Sequence, residues 1–237
     1  MKPFLTAEWR WLAMINYAID AGVLRPLVPK GVELDSFEGV TYVSMVGFLF
    51  LNTRVLGLPP PFHRNFEEVN LRFYVRQRAP EGWRRGVVFV KEIVPRRAIA
   101  AVARSVYDEP YVRLPMANRI ELPTVRYEWR AGGRWNSLEV RAQGEPAPPA
   151  PGSFEEFIAE HYWGYTARRD GGTSAYRVEH VPWRVWHVAE CALECDANLL
   201  YGAAFAEALA QPPRSAFLAE GSPVQVYRSR LLDSFPE

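Results

Sequence analysis

Glu68, Asn70 and Arg72 recur at every second position of the run Phe66–Arg78, while Glu67, Val69, Leu71, Phe73 and Val75 hold the other parity. Alternation of this kind has the period of a strand, so a carboxylate, an amide and a guanidinium share one face. In a half-buried sheet that face is either wetted or the lining of a cavity. In a cavity the three would form a line of acid–base and hydrogen-bonding groups. Tyr111 offers a phenol that donates a hydrogen bond or, with a lowered pKa, a proton. Arg10 offers a guanidinium fork suited to a carboxylate or phosphate.

Nucleophilic and metal chemistry have less to draw on. The only lysines are Lys2, Lys30 and Lys91. The first two fall in a terminus and a turn. Lys91 shares strand parity with Val87, Phe89 and Ile93, which reads as a snorkelling side chain with a partly buried stem. His63, His161, His180 and His187 show no i, i+4 pairing, and no metal site is expected. His63 follows a Pro-rich loop and reads as surface or as the rim of a pocket; His180, before Pro182-Trp183, reads as a packing group at a strand end. Cys191 and Cys195 lack a second ligand pair and are expected as reduced thiols. No nucleophile elbow, Walker loop or dinucleotide Gly-rich fingerprint occurs, so no cofactor is expected.

Composition excludes further classes. Hydrophobic residues make up 49% of the 237 and aromatics 14%, enough for a sizeable core. A formal net charge of +1 gives no reason to expect nucleic acid or an anionic membrane. Arg84-Arg85 and Arg96-Arg97 are short pairs at turns, not a nucleic-acid track. The first ten residues contain no apolar h-region, and the most apolar run, Tyr42–Leu51, is about half the ~20 residues that span a bilayer. A cytoplasmic location is expected, and self-association into a homo-oligomer stays open.

The elements that must carry the polar groups are mostly strands. Trp9, Trp11, Ala13, Ile15 and Tyr17 alternate with Arg10, Leu12, Met14 and Asn16. Asp20 caps a short helix over Ala21–Val28 that Pro29 stops. Thr41–Val55 reads as one long strand, and Phe66–Arg78 as a hairpin with Val87–Val94. Ile99, Val102, Ala103 and Val106 recur at helical spacing, with Arg104 on the helix edge, bracing the turn through carbonyls or Asp108 and Glu109. Val125–Arg130 and Trp135–Arg141 flank Gly132-Gly133, a strong hairpin signal. Gln143–Gly152 is Pro/Ala-rich and predicts a loop, and Ser153-Phe-Glu-Glu156 has the pattern of a capping box, with Phe154, Phe157, Ile158 and His161 on one helix face. Val185–Glu194 and Val224–Leu231 read as strands, with an Asp196-capped, Ala-rich helix to Ala210 between them. Two or three strands after the loop are too few to close a separate sheet, so residues 1–237 read as a single domain with an internal loop at 143–152.

Several of these stretches resemble the acetoacetate decarboxylases. The segment Ala98–Arg113 is similar to their small-residue helix, with Arg104 and Pro110 at the family's spacing. Val23–Leu34 is similar to an early helix, proline stop and strand, and Phe66-Glu67-Glu68 to an aromatic-x-Glu motif. The resemblance runs over roughly residues 8 to 115. His63–Arg72, Pro110-Tyr111 and His180–Trp183 resemble the YqjF-like branch more specifically. The resemblance implies an α+β fold: a large, mostly antiparallel sheet curled into a cone-like barrel with an internal cavity and helices packed outside. It also implies that Glu68 and Arg10 face the cavity. Two adjacent lysines follow the proline in the decarboxylases, whereas here Tyr111 and Val112 stand there. Decarboxylation of a β-keto acid through an iminium needs a neutral lysine as electron sink, and a phenol forms no imine.

The expectation is therefore a small-molecule-binding protein, for a carboxylate or oxo-compound, with a decarboxylase-like cavity that lacks the Schiff-base lysine. Its binding residues would be Arg10, Glu68, Asn70, Arg72 and Tyr111. The alternative is a lyase or other enzyme on small oxo-acids, with Glu68 and Tyr111 in acid–base roles.

Overall fold

The computed structural model describes residues 2–61, 63–96 and 109–232. The helix expected over Ile99–Val106, with Arg104 and Asp108, lies outside the described residues. The chain runs β1 (Leu5–Ile19), α1 (Ala21–Leu24), β2 (Glu33–Leu34), β3 (Thr41–Val55), β4 (Phe66–Ala79), β5 (Gly82–Val94) and β6 (Tyr111–Arg113). There follow β7 (Met116–Glu121), β8 (Thr124–Ala131), β9 (Arg134–Ala147), α2 (Phe154–Ala159), β10 (Trp163–Ala167) and β11 (Thr173–His180). The last elements are β12 (Val185–Glu194), α3 (Ala197–Tyr201), α4 (Ala203–Leu209), β13 (Ser215–Val226) and β14 (Arg230–Leu231).

Among the described residues fourteen strands join one sheet, antiparallel except where β5 meets β6 and β10. Seven of them close a ring, β1-β3-β4-β5-β10-β11-β13, because β13 pairs with β1 on one side and reaches β11 on the other, Val178 opposite Val226. From β13 the sheet continues outward through β12, β9, β8 and β7. This second limb folds back over the outer face of β1, β3, β4 and β5, so the ring wall is dry on both sides. Val43, Met45, Leu71 and Phe73 from the wall share a buried cluster with Tyr127, Trp129, Leu138 and Val140 from the limb. The approach is close enough that a Cβ on Gly47 would come within 2.5 Å of the Tyr127 ring. The β8–β9 turn is Gly132-Gly133, at φ 58° and 82°, the left-handed values that a two-residue hairpin turn requires.

The helices divide between the two sides. Leu200, Phe205 and Leu209 of α3 and α4 belong to the outer cluster, as expected of helices packed outside. The α2 helix instead turns Phe154, Phe157 and Ile158 into the cluster that fills the ring. The N-cap half of its capping box forms, with Ser153 Oγ accepting from Glu156 N–H, while the Glu156 carboxylate accepts from Gly152 N–H in place of Ser153 N–H. His161, expected on the same face, follows the helix and is buried beside Tyr74. The Ala-rich helix breaks in two at Gly202, which stands at φ 89°.

Two expectations need correction. The loop predicted at 143–152 begins only at 148, because β9 runs on through Ala147 and pairs Gln143 with His187 and Ala147 with Val185. The chain after that loop supplies five strands, not two or three. Trp163–Ala167 and Thr173–His180 lack clean alternation because they close the ring and are wetted on neither face over most of their length.

Candidate functional site

Inside the ring lies a pocket of about 370 Å³, within the range of small-molecule sites. Most of its lining is apolar. Phe4, Leu5, Val55, Pro60, Pro61 and His63 stand toward the mouth, and Trp9, Phe48, Phe50, Phe66 and Phe89 form the walls. One side is different: Glu68, Asn70 and Arg72 from β4, Glu92 from β5, Glu109, Tyr111 from β6 and Tyr176 from β11 all reach it.

The β4 alternation explains the first three. Val69, Leu71, Phe73 and Val75 face the outer cluster, so the even positions face the interior. There Glu68, Asn70 and Arg72 are 2%, 1% and 8% exposed. The polar face is thus a lining and not a wet surface. Cross-strand register sets the rest: Asn70 stands opposite Glu92, and Glu92 beside Tyr111. Tyr111 donates to Glu68 Oε2 at 3.1 Å and Asn70 Nδ2 to Glu68 Oε1 at 2.9 Å. Tyr176 donates to Glu109 Oε1. Arg72 turns toward α2 and donates to Ile158 O at 3.4 Å and Met14 Sδ at 3.8 Å, marking the deep end of the pocket. Behind it, burial and the charges of Arg85 and Arg72 push His161 well down, so that ring is neutral.

Three buried carboxyls in one pocket cannot all ionise cheaply. Burial pushes Glu68 up to about 7 against the opposing pull of its bonds from Asn70 and Tyr111 and the charge of Arg72. Burial likewise lifts Glu109 to about 8, opposed by Tyr176 and assisted by the charge of Glu68. Glu92 rises well above the ordinary range, through burial first and then the charges of Glu109 and Glu68. Burial and the three carboxyls hold the Tyr111 phenol far from ionisation, so it serves as a donor and not as a lowered-pKa acid. Several atoms remain without partners: Asn70 Oδ1, Glu92 Oε2, Arg72 Nε, Trp9 Nε1 and Thr53 Oγ1. Among the described residues no group of three His, Cys, Asp or Glu is arranged to hold a metal ion.

Arg10 is not in this lining. Leu12, Met14 and Asn16 face the ring interior, and unbroken alternation would bring Arg10 in with them. A bulge intervenes between Arg10 and Ala13, where Trp11 takes φ 56°. The extra residue shifts parity, so Trp9 enters the pocket and Arg10 turns outward to pair with Glu8 at 2.8 Å. The outer limb holds the bulge in place: Tyr127 donates to Trp11 O at 2.8 Å, and the Trp11 ring packs on Trp186.

A second bulge brings in a residue that the sequence did not single out. Opposite Leu71-Arg72, β5 carries an extra residue between Phe89 and Lys91. Phe89 faces the pocket, but Lys91 and Ile93 face outward and Glu92 inward. Lys91 donates to Leu200 O of α3 and lies over the Tyr201 ring at 5.6 Å. No lysine lines the pocket among the described residues. Glu109, considered only as a partner for Arg104, is the other addition. Its signal was present, two positions before Tyr111 and of the same parity. Glu92 had none, since a bulge leaves no mark in side-chain type. His63 borders the mouth, whereas His180 is stacked between Tyr162 and Trp183.

Comparison with known proteins agrees with this architecture. The family model DUF2071, described as an uncharacterized conserved protein, matches residues 6–223. The chain is 28% identical over 183 residues to the uncharacterized protein YqjF of Bacillus subtilis (strain 168), spanning 74% of this chain and 72% of that one. Among solved structures, acetoacetate decarboxylase from Legionella pneumophila aligns with a TM-score of 0.70 at 13% identity, over 98% of this chain and 88% of that one. The enduracididine biosynthesis enzyme MppR with HEPES buffer bound aligns at 0.69 and 12%, over 98% and 89%. At such identities the likeness is one of fold.

Proposed function

The chain belongs to the DUF2071 family, and we propose that its ring is a receptacle for a small organic molecule, with no imine chemistry. One observation carries the reading: a buried polar side of Glu68, Asn70, Arg72, Glu92, Glu109, Tyr111 and Tyr176 in a pocket whose remaining lining is mostly apolar. Burying three carboxyls disfavours folding, whereas the outer face of the same strands is packed mainly by apolar side chains. Perturbed acids converging in a pocket mark a ligand or reaction site. The hydrocarbon part of the ligand would lie along Phe48, Phe50, Phe66 and Phe89, and its polar head on the glutamate band. A carboxylate ligand loses the anchor expected for it, because Arg10 is outside. Free Cys191 and Cys195 fit a reducing compartment, and a cytoplasmic location is part of this reading.

The imine part is tested by treating the protein with acetoacetate and borohydride. The mass is expected to stay unchanged, and a reduced adduct on any lysine sinks this part of the reading. Binding is tested by native mass spectrometry of protein purified without denaturation: a co-purifying small molecule is expected, and it should be absent from a Val46→Trp variant that fills the pocket.

A second reading, proton transfer on small oxo-compounds, draws on Glu68. Held at about 7 and bonded to Tyr111, its carboxyl is poised to exchange a proton at neutral pH. Protein-dependent deuterium uptake at the α-carbons of a small ketone, lost in Glu68→Gln, would select it over binding alone.

A further inference from the structure

Resting on the pocket as a ligand site, we infer that its ligand carries a protonated amine, seated between Asn70 and Glu92 with its hydrocarbon body against the aromatic wall. The first ground is the pair of unpartnered atoms. Asn70 engages its Nδ2 on Glu68, which leaves Oδ1 able only to accept, and Glu92 Oε2 is likewise unpaired. Both residues are almost wholly buried, and register places them opposite each other on neighbouring strands. An amide oxygen has no alternative protonation state at working pH, so its requirement is for a donor. A ketone or aldehyde oxygen only accepts and leaves Asn70 Oδ1 unsatisfied, whereas an ammonium brings up to three donors.

The second ground is charge. Among the described residues Glu68, Glu92 and Glu109 face the pocket together with one guanidinium, that of Arg72, whose Nη2 donates to Ile158 O and Met14 Sδ while its Nε has no partner. An ammonium on the band adds a counter-charge to the three buried carboxyls, where it acts more strongly than at a surface. An anionic head meets the opposite situation. The wall of Trp9, Phe48, Phe50 and Phe66 takes the hydrocarbon body that carries the amine.

Proton release follows. A cation beside the band lowers the carboxyl pKa values and expels a proton that the empty pocket retains near neutral pH. Among the described residues the other titratable groups facing the band do not substitute: Tyr111 and Tyr176 are phenols that donate to it, Arg72 stays charged, and His63 stands at the mouth.

Three probes of matched size test the inference by titration calorimetry on the intact chain: phenethylamine, 4-phenylbutan-2-one and 3-phenylpropanoate. Phenethylamine is expected to bind, the ketone and the acid to bind at least about tenfold more weakly, and amine affinity to rise toward tenfold between pH 6 and pH 7, the limit for one released proton. Titrations in phosphate and Tris should differ in heat by that proton. Glu92→Gln, checked for folding by circular dichroism, should weaken the amine about tenfold or more. Preferred binding of the ketone or the acid, or amine affinity that is flat or falls with pH, overturns the inference and leaves the pocket reading standing. No binding of any probe at millimolar concentration overturns both.

Discussion

The wall of the ring is packed differently on its two faces, although the same four strands supply both. Outward, Val43, Met45, Leu71 and Phe73 meet Tyr127, Trp129, Leu138 and Val140 in an apolar cluster. Inward, one residue along the same strands, stand Glu68, Asn70, Arg72 and Glu92 around a void. The outer face has the density and composition that stability favours. The inner face holds unpaired polar atoms and raised carboxyl pKa values, features that disfavour folding. That difference separates what holds this molecule together from what it is for.

Damage to the two faces should therefore have opposite signs. The largest effect is expected from Trp129→Ala in the outer cluster, about 3–5 kcal/mol of stability lost by urea unfolding. If it costs less than 1 kcal/mol, the outer face is not the stabilising one. The inner face should announce itself through pH. Glu68 and Glu109 keep protons in the folded protein that the unfolded chain sheds near 4.5, so folding is favoured below that value. The advantage is lost as pH rises to about 7 for Glu68 and about 8 for Glu109. Urea unfolding between pH 5 and 8 should show stability falling with pH, by up to about 1.4 kcal/mol per unit for each group. A curve that rises over this range would mean the carboxyls are charged in the fold.

Smaller effects sharpen the contrast. Gly47→Ala, forced against the Tyr127 ring, should cost about 1–3 kcal/mol by the same unfolding assay. Glu92→Met should instead raise the unfolding midpoint, worth about 1–3 kcal/mol for a buried group freed of an unmet bond, while abolishing amine binding. A lowered midpoint would show that Glu92 serves the fold. Arg10→Ala should be nearly silent, below about 1 kcal/mol and without change in ligand binding, because it breaks only a half-exposed pair with Glu8.

The elements most readily read from the sequence were those with regular alternation or explicit punctuation. Thr41–Val55 and Val185–Glu194 were bounded as predicted, the Gly132-Gly133 hairpin formed, and Asp20 and Ser153 cap their helices. Less legible were β10 and β11, whose two buried faces remove the period-2 signal, and the tail of β9, where Pro and Ala suggested a loop. In the pocket, Glu68, Asn70, Arg72 and Tyr111 are brought together from the predicted set, Arg10 is not, and Glu92 and Glu109 join.

Residue type and strand period alone determined that Glu68, Asn70 and Arg72 share a face, and that no lysine stands after Pro110. Both are local facts, readable wherever the backbone is regular. Which face turned inward, and which neighbours joined it, depended on two single-residue bulges, at Trp11 and beside Val90. Each inverts side-chain parity for the rest of its strand. The bulge at Trp11 is held by Tyr127, more than a hundred residues away in sequence, and the one beside Val90 shows itself only in register against β4. No local reading of residue types could have placed Glu92 inside or Arg10 outside; pairing across the closed ring did.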